Sequence, residues 1–157
     1  MTLAALVVFG FEASARAADP IKIVMLGDSL TAGLGLPAGD ALPAQLETAL
    51  KAKGHHVQVI NAGVSGDTAA DGLARLDWAL DPDAKAVIVA LGANDALRGL
   101  PPASTRAALD DILTTLAGRG LPTLIAGMNA PRNLGPDYAG AFDPIFQDLA
   151  ARHQALL

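Results

Sequence analysis

Residues 21–33 read Ile-Lys-Ile-Val-Met-Leu-Gly-Asp-Ser-Leu-Thr-Ala-Gly. The first six residues are a short, mostly apolar run containing β-branched side chains, which predicts a buried strand. The remaining seven form the loop that follows this strand, and they include Ser29. Open α/β folds bind their ligands at the carboxyl edge of the sheet, so a serine placed there is a candidate nucleophile. This stretch therefore predicts both a parallel sheet and a reactive hydroxyl at its edge.

Predicted strands and helices alternate along the rest of the chain. Apolar runs predict further strands over 57–60, 86–91 and 123–126, and amphipathic segments predict helices over 41–53, 68–80, 103–117 and 138–157. Trp78 is expected in the core-facing part of the second of these helices. A β-α alternation joined by right-handed crossovers predicts one α/β domain over residues 20–157, with strand order 2-1-3-4.

Composition and charge exclude several classes of protein. Hydrophobic residues make up 52% of the chain and charged residues 17%, which is typical of a globular domain and not of a disordered one. The net charge of −5 argues against a nucleic-acid partner. The 157 residues contain no cysteine, which excludes disulfides and thiolate metal sites in this sequence. The sequence shows no metal or phosphate-binding signature, so no cofactor is predicted.

The first residues resemble a secretory leader. An apolar run over 3–11 is followed by Ala15-Arg16-Ala17, a small-x-small cleavage pattern. We therefore expect a signal peptide over residues 1–17 and a periplasmic or secreted protein. The apolar run is shorter than the roughly 20 residues that span a membrane, so no stable membrane insertion is expected.

Polar loops follow three of the predicted strands. Ser29 lies after the first, Gly63 lies within the loop over 61–68 after the second, and Asn94 lies in Gly92-Ala93-Asn94-Asp95 after the third. Acyl transfer needs a nucleophile together with hydrogen-bond donors for the developing oxyanion. Ser29 could supply the hydroxyl and its own N–H, Gly63 a backbone N–H and Asn94 an amide N–H. Asp28, Asp67 and Asp95 are interpreted as helix caps and loop anchors.

The three loops resemble three sequence blocks of the SGNH (GDSL) hydrolases. Residues 127–138 are similar to the bacterial branch that contains secreted arylesterases, lysophospholipases and acyl-CoA thioesterase I. The resemblance covers nearly all of residues 21–157. It implies a three-layer αβα, flavodoxin-like parallel sheet, a nucleophilic Ser29, and an oxyanion hole built from Ser29, Gly63 and Asn94.

The fourth block of that family, an Asp-x-x-His before the last helix, is not found in this sequence. We therefore expect a hydrolase domain that stops before its last strand and helix, inside a helix that reaches Leu157 and leaves apolar surface uncovered. Three histidines are candidates for the general base. His55 and His56 precede the second strand and His153 is near the end of the last helix at an expected surface position, so all three are expected far from Ser29.

Apolar residues in the loops of this edge suit an acyl or aryl group; they are Leu34, Leu36, Leu97, Leu100, Pro101, Pro102, Met128 and Leu134. The sequence therefore predicts a serine esterase acting on a small or lipid-like ester or thioester. A domain of the same fold that binds an acyl ligand without turning it over is the alternative.

Overall fold

The computed structural model describes residues 19–157, and the predicted leader lies outside them. Four parallel strands form one sheet in the order β2-β1-β3-β4, as predicted. The strands are β1 (Ile21–Gly27), β2 (Val57–Gly63), β3 (Ala86–Ala90) and β4 (Thr123–Ile125). The helices are α1 (Ser29–Ala32), α2 (Leu42–Ala52), α3 (Ala69–Ala74), α4 (Leu76–Ala79), α5 (Ala93–Leu97), α6 (Pro102–Gly118), α7 (Pro136–Phe142) and α8 (Pro144–His153).

The main core lies on one face of the sheet, under α3, α4, α6, α7 and α8. Its largest fully buried side chains include Leu109, Ile112, Phe142, Ile145 and Leu149. Truncating one such side chain to alanine costs roughly 2–5 kcal/mol, so these helices are held firmly on the sheet. α1 and α2 pack beside β2 and complete a three-layer arrangement.

The helix predicted over 68–80 is interrupted. α3 ends at Ala74 and α4 begins at Leu76, with Arg75 between them at φ −106° and ψ 6°. The expectation that Trp78 is core is wrong, because this side chain is 72% exposed. The guanidinium carbon of Arg75 lies 5.8 Å from the centre of the Trp78 ring.

The helix predicted over 138–157 is also wrong in its extent. Pro144 cannot donate to a preceding turn and starts a new helix, so α7 and α8 are separate. α8 ends at His153, where Gln154 takes a left-handed conformation with φ 54°.

Beyond α8 the chain reaches the edge of β4. The N–H of Leu156 donates to the Thr123 carbonyl, and the N–H of Ile125 donates to the Leu156 carbonyl, each over 2.9 Å. The chain thus pairs in parallel with β4 at Leu156. The large apolar residues of α8 are buried, contrary to the expected exposed helix face, while Leu156 and Leu157 are exposed.

Candidate active site

The three polar loops leave the sheet side by side. Gly27 at the end of β1 is in register with Gly63 at the end of β2 and with Ala90 at the end of β3. Ser29 is the first residue of α1, directly after β1, and Asn94 is the second residue of α5, directly after β3. The parallel sheet therefore brings the predicted loops to one edge.

Ser29 is held by a capped helical turn. The carboxylate of Asp28, which is only 1% exposed, accepts the N–H of Leu30 over 2.9 Å. The Asp28 carbonyl accepts the N–H of Ala32 over 2.8 Å, which closes the first turn of α1. Neither the hydroxyl nor the N–H of Ser29 bonds to any of residues 19–157. The serine thus keeps both groups available to a substrate.

Asn94 lies next to this turn, with its amide oriented by two partners. Its Nδ2 donates to the backbone carbonyl of Asp67 over 2.9 Å and lies 3.4 Å from Oδ2 of Asp28. The first hydrogen bond is of normal length and the second is long. One N–H therefore fixes the side chain, and the other makes only the long contact to Asp28.

Gly63 is not placed as a free donor. Its N–H donates to Oδ1 of Asn61 over 2.9 Å, so that N–H is already satisfied within the loop. A Cβ at this position would lie 2.3 Å from the backbone nitrogen of Ala32. The glycine is thus explained by the close approach of α1 to β2, and the structure disagrees with the oxyanion role predicted for it.

Gly66, three residues further on, was missed by sequence reasoning. Its N–H donates to none of residues 19–157, and its φ of +92° favours glycine. Its carbonyl accepts a guanidinium N–H of Arg98 over 2.6 Å. The next residue is Asp67, whose carbonyl orients Asn94. No sequence signal separates Gly66 from Gly63, because the contacts that distinguish them are made by Asn61 and Asp67 in the folded chain.

The aspartates act as caps and anchors, as predicted. Asp28 caps α1. Asp95, which is 2% exposed, accepts the N–H of Ala69 over 2.9 Å and the hydroxyl of Thr105 over 3.0 Å, and so joins α5 to α3 and α6. Asp67 forms a buried ion pair with Arg75, with Nε and Oδ2 2.5 Å apart.

The three histidines lie away from Ser29. His55 and His56 directly precede β2, at the opposite edge of the sheet, as predicted. His153 lies at the end of α8, but it is not a free surface residue, because its Nε2 is 2.5 Å from Oδ1 of Asp110 on α6 and its side chain is 13% exposed. Within residues 19–157, no imidazole therefore stands beside Ser29.

The predicted apolar rim is partly exposed. Leu34, Leu36 and Leu97 are exposed by 73%, 55% and 72%, while Leu100 and Met128 are half-buried. Leu30, which follows the serine directly, is 70% exposed and was not predicted. Apolar side chains are thus exposed to solvent on both sides of the site, on the segment after β1 and on α5.

One protein family matches the part of the chain that contains this site. The sequence profile of the GDSL-like Lipase/Acylhydrolase family matches residues 25–157, which include all three loops. The chain belongs to this family. The predicted resemblance is therefore confirmed.

Individual relatives agree with this membership. The chain is 38% identical to an arylesterase of Vibrio mimicus over 95% of its own length and 74% of that protein. It is 39% identical to thioesterase 1/protease 1/lysophospholipase L1 of Escherichia coli K12, over 86% of its own length and 64% of that protein. Among solved structures, the SGNH-hydrolase family esterase AlinE4 matches with a TM-score of 0.88 and 48% identity, covering 90% of this chain and 77% of that one. The fold predicted for this family member is confirmed by that match.

The described residues contain neither a metal-binding cluster nor a membrane-spanning helix. Within residues 19–157, no three acidic or histidine side chains are clustered closely enough to ligate a metal ion. None of the helices in this described part combines the length and hydropathy needed to cross a membrane.

Proposed function

We propose that this chain hydrolyses carboxylic esters or thioesters through an acyl-enzyme at Ser29. The observation that carries the proposal is Ser29 at the start of α1, with its N–H and hydroxyl both unbonded and the oriented amide of Asn94 beside its cap. Family relatives named arylesterase and thioesterase support an enzyme over the non-catalytic acyl-binding alternative.

In the proposed reaction, Oγ of Ser29 attacks the carbonyl carbon and the carbonyl oxygen becomes an oxyanion. The N–H groups of Ser29 and Gly66 and the amide of Asn94 donate to it. Collapse of the intermediate expels the alcohol or thiol, and water then releases the acid from Ser29. These donors replace the set predicted from sequence, in which Gly63 took the place of Gly66.

The serine proton needs an acceptor within hydrogen-bond reach. His55, His56 and His153 do not meet this requirement, because two lie at the opposite edge of the sheet and the third is bonded to Asp110. We therefore propose that an Asp-x-x-His segment of the kind found in this family supplies the base when it is joined to these residues.

The test compares two forms of the protein with p-nitrophenyl butyrate. The 157-residue chain is expected to show negligible turnover, since a site without its base retains only roughly 10³–10⁴-fold catalysis over water. The same chain continued by the Asp-x-x-His segment and last helix of a family esterase is expected to turn over, and Ser29→Ala in that fusion to abolish it. Full activity of the Ser29→Ala fusion would overturn the proposal, as would strong turnover by the chain alone that is lost on changing one of its three histidines.

The substrate that we propose is lipid-like or a small aryl ester. Exposed Leu30, Leu34, Leu36 and Leu97 offer contacts to an apolar acyl or aryl group. A series of p-nitrophenyl esters of increasing acyl length tests this, since each buried methylene contributes roughly 0.8 kcal/mol. kcat/KM should rise from acetyl to butyryl, and Leu97→Ser should flatten the rise.

We also propose a periplasmic or secreted location. The support is the apolar run over 3–11 and the small-x-small pattern Ala15-Arg16-Ala17. Expression in a Gram-negative host followed by mass spectrometry of the periplasmic fraction should find a protein that begins at Ala18. An intact Met1 in the cytoplasmic fraction alone would contradict it.

A further inference from the structure

Arg75 is a buried cation for which the proposed chemistry has no direct use. It is 7% exposed, and it lies between α3 and α4 at the point where the predicted continuous helix is interrupted. Burying a guanidinium is costly unless its donors are paired. The acceptors that it reaches therefore indicate what it does.

These acceptors all belong to the segments that carry the site. Nη2 of Arg75 donates to the carbonyl of Gly27 over 3.0 Å and to the carbonyl of Ala62 over 2.9 Å. Gly27 is the last residue of β1, two residues before Ser29, and Ala62 is the next-to-last residue of β2. One nitrogen thus ties together the ends of the two strands from which the first two site loops leave.

The third acceptor of Arg75 is Asp67, which also bonds to Asn94. Nε of Arg75 is 2.5 Å from Oδ2 of Asp67, while the backbone carbonyl of the same aspartate accepts the Asn94 amide over 2.9 Å. Asp67 therefore holds Arg75 with its side chain and Asn94 with its main chain. A shift of the Arg75 guanidinium would move the carbonyl that orients Asn94.

We propose that Arg75 is a positioning residue, which sets the Asn94 amide relative to Ser29 through Asp67 and the Gly27 and Ala62 carbonyls. It does not touch substrate. The inference rests on the proposed function, in which Asn94 is an oxyanion donor. Lysine cannot replace the arginine here, because a single ammonium group lacks the planar fork that reaches the three acceptors at once.

The first test observes Asn94 directly, without turnover. In Arg75→Lys, which keeps the charge next to Asp67, the side-chain amide signals of Asn94 in a ¹⁵N–¹H spectrum should shift, and their exchange with solvent should accelerate at least about tenfold. The matched control is Leu116→Ala, a core truncation near the far end of α6 that lowers stability without touching these loops. Unchanged Asn94 signals in Arg75→Lys, or an equal change in Leu116→Ala, would overturn the inference.

The second test measures the site with n-butylboronic acid, which forms a tetrahedral adduct with a serine oxygen, by ¹¹B NMR on the full chain. Misplacing a donor by about 1 Å costs up to roughly 10²-fold in such sites, so Arg75→Lys should weaken binding at least about tenfold. In an Asn94→Ala background the same substitution should have less than about a twofold effect, because both changes act on one donor. Independent, multiplying effects would overturn the inference.

Ser29→Ala separates the two hypotheses. If the boronic acid binds Ser29→Ala as tightly as the unchanged chain, the nucleophile assignment fails. The Asn94 amide signals still decide whether Arg75 positions that side chain, since they do not depend on a serine adduct.

Discussion

The side-chain amide of Asn94 donates to the backbone carbonyl of Asp67 over 2.9 Å, although the two residues are 27 positions apart in the chain. This contact joins the loop after β2 to the start of α5, next to the turn that carries Ser29. This hydrogen bond uses one amide proton, and the other makes only the 3.4 Å contact to Oδ2 of Asp28, so it is the proton proposed to bond to a substrate oxygen. The proposed oxyanion hole depends on this division between a structural and a reactive N–H.

Replacing Asn94 by alanine tests that division. In the fusion that carries an Asp-x-x-His segment, Asn94→Ala should lower kcat for p-nitrophenyl butyrate by roughly 10²–10³, with little change in KM. Gln58→Ala removes an exposed amide near the opposite end of β2 and should leave both constants unchanged. A fall in kcat of less than about threefold for Asn94→Ala would exclude it as an oxyanion donor.

The two glycines of the loop after β2 should respond differently to alanine. In Gly63→Ala the new Cβ would meet backbone atoms of Ala32 at 2.3–2.8 Å, so the thermal unfolding temperature should fall sharply. Gly66→Ala meets only the end of the Arg98 side chain at 3.6 Å, and its cost is the left-handed strain of about 1–2 kcal/mol.

Gly140→Ala is the control for these glycines, because it adds a methyl group in open space on α7 and should be neutral or stabilising by about 0.5–1 kcal/mol. Equal stability of Gly63→Ala and Gly140→Ala would show that the approach of α1 to β2 is not tight.

Two buried threonines differ in whether the side-chain hydroxyl has a hydrogen-bond partner. Thr31 and Thr105 are both fully buried, but Oγ1 of Thr31 has no hydrogen-bond partner among residues 19–157, whereas that of Thr105 donates to Asp95 over 3.0 Å. Thr31→Val should therefore be neutral or raise the free energy of unfolding by up to about 1 kcal/mol. Thr105→Val should lower it by about 1–3 kcal/mol, because a buried carboxylate loses a donor. Urea unfolding of both variants measures the difference, and the reverse order would contradict the hydrogen-bond assignment.

Local sequence features predicted most of the fold, and contacts distant in sequence account for what was missed. The strands and the loops carrying Ser29 and Asn94 are marked by apolar runs that end in glycine and polar residues. The break occurs at Arg75, whose side chain bonds to carbonyls of β1 and β2, and no pattern within residues 68–80 contains these partners. Trp78 is exposed because it lies two residues after the buried Leu76, on the opposite face of α4.

The end of α8 and the choice between the two glycines could not be predicted for related reasons. Gln154 adopts a left-handed conformation that its residue type does not favour, and only the pairing of Leu156 with β4 shows why the chain turns there. Gly63 and Gly66 look alike in sequence. They differ in the use of their N–H groups, which depends on the Asn61 side chain.

Stability should depend on pH through Asp143, at the junction of α7 and α8. The N–H of Ala130 and then the guanidinium of Arg132 hold the pKa of this carboxyl below its ordinary value of 3.8. A carboxyl whose pKa is lower in the folded than in the unfolded state stabilises the fold at pH values above its unfolded-state pKa. This stabilisation is lost as the pH falls through its folded-state pKa. Wild type should therefore be more stable than Asp143→Asn at pH 5–7, and the gap should shrink below about pH 4.

Thermal unfolding between pH 2 and 7 measures this gap. Asp111→Asn on α6 is the control, because Asp111 is exposed and its side chain bonds to none of residues 19–157. A gap for Asp143→Asn that stays constant down to pH 2 would show that the charge of Asp143 does not stabilise the junction.

The central claim is that Ser29 carries the acyl group, and mass spectrometry of the acid-quenched fusion during turnover of p-nitrophenyl butyrate tests it most directly. We predict an added butyryl group on the one proteolytic peptide that contains Ser29, and no such adduct in Ser29→Ala. A butyryl group on any other residue, or continued turnover without an adduct on that peptide, would contradict the account.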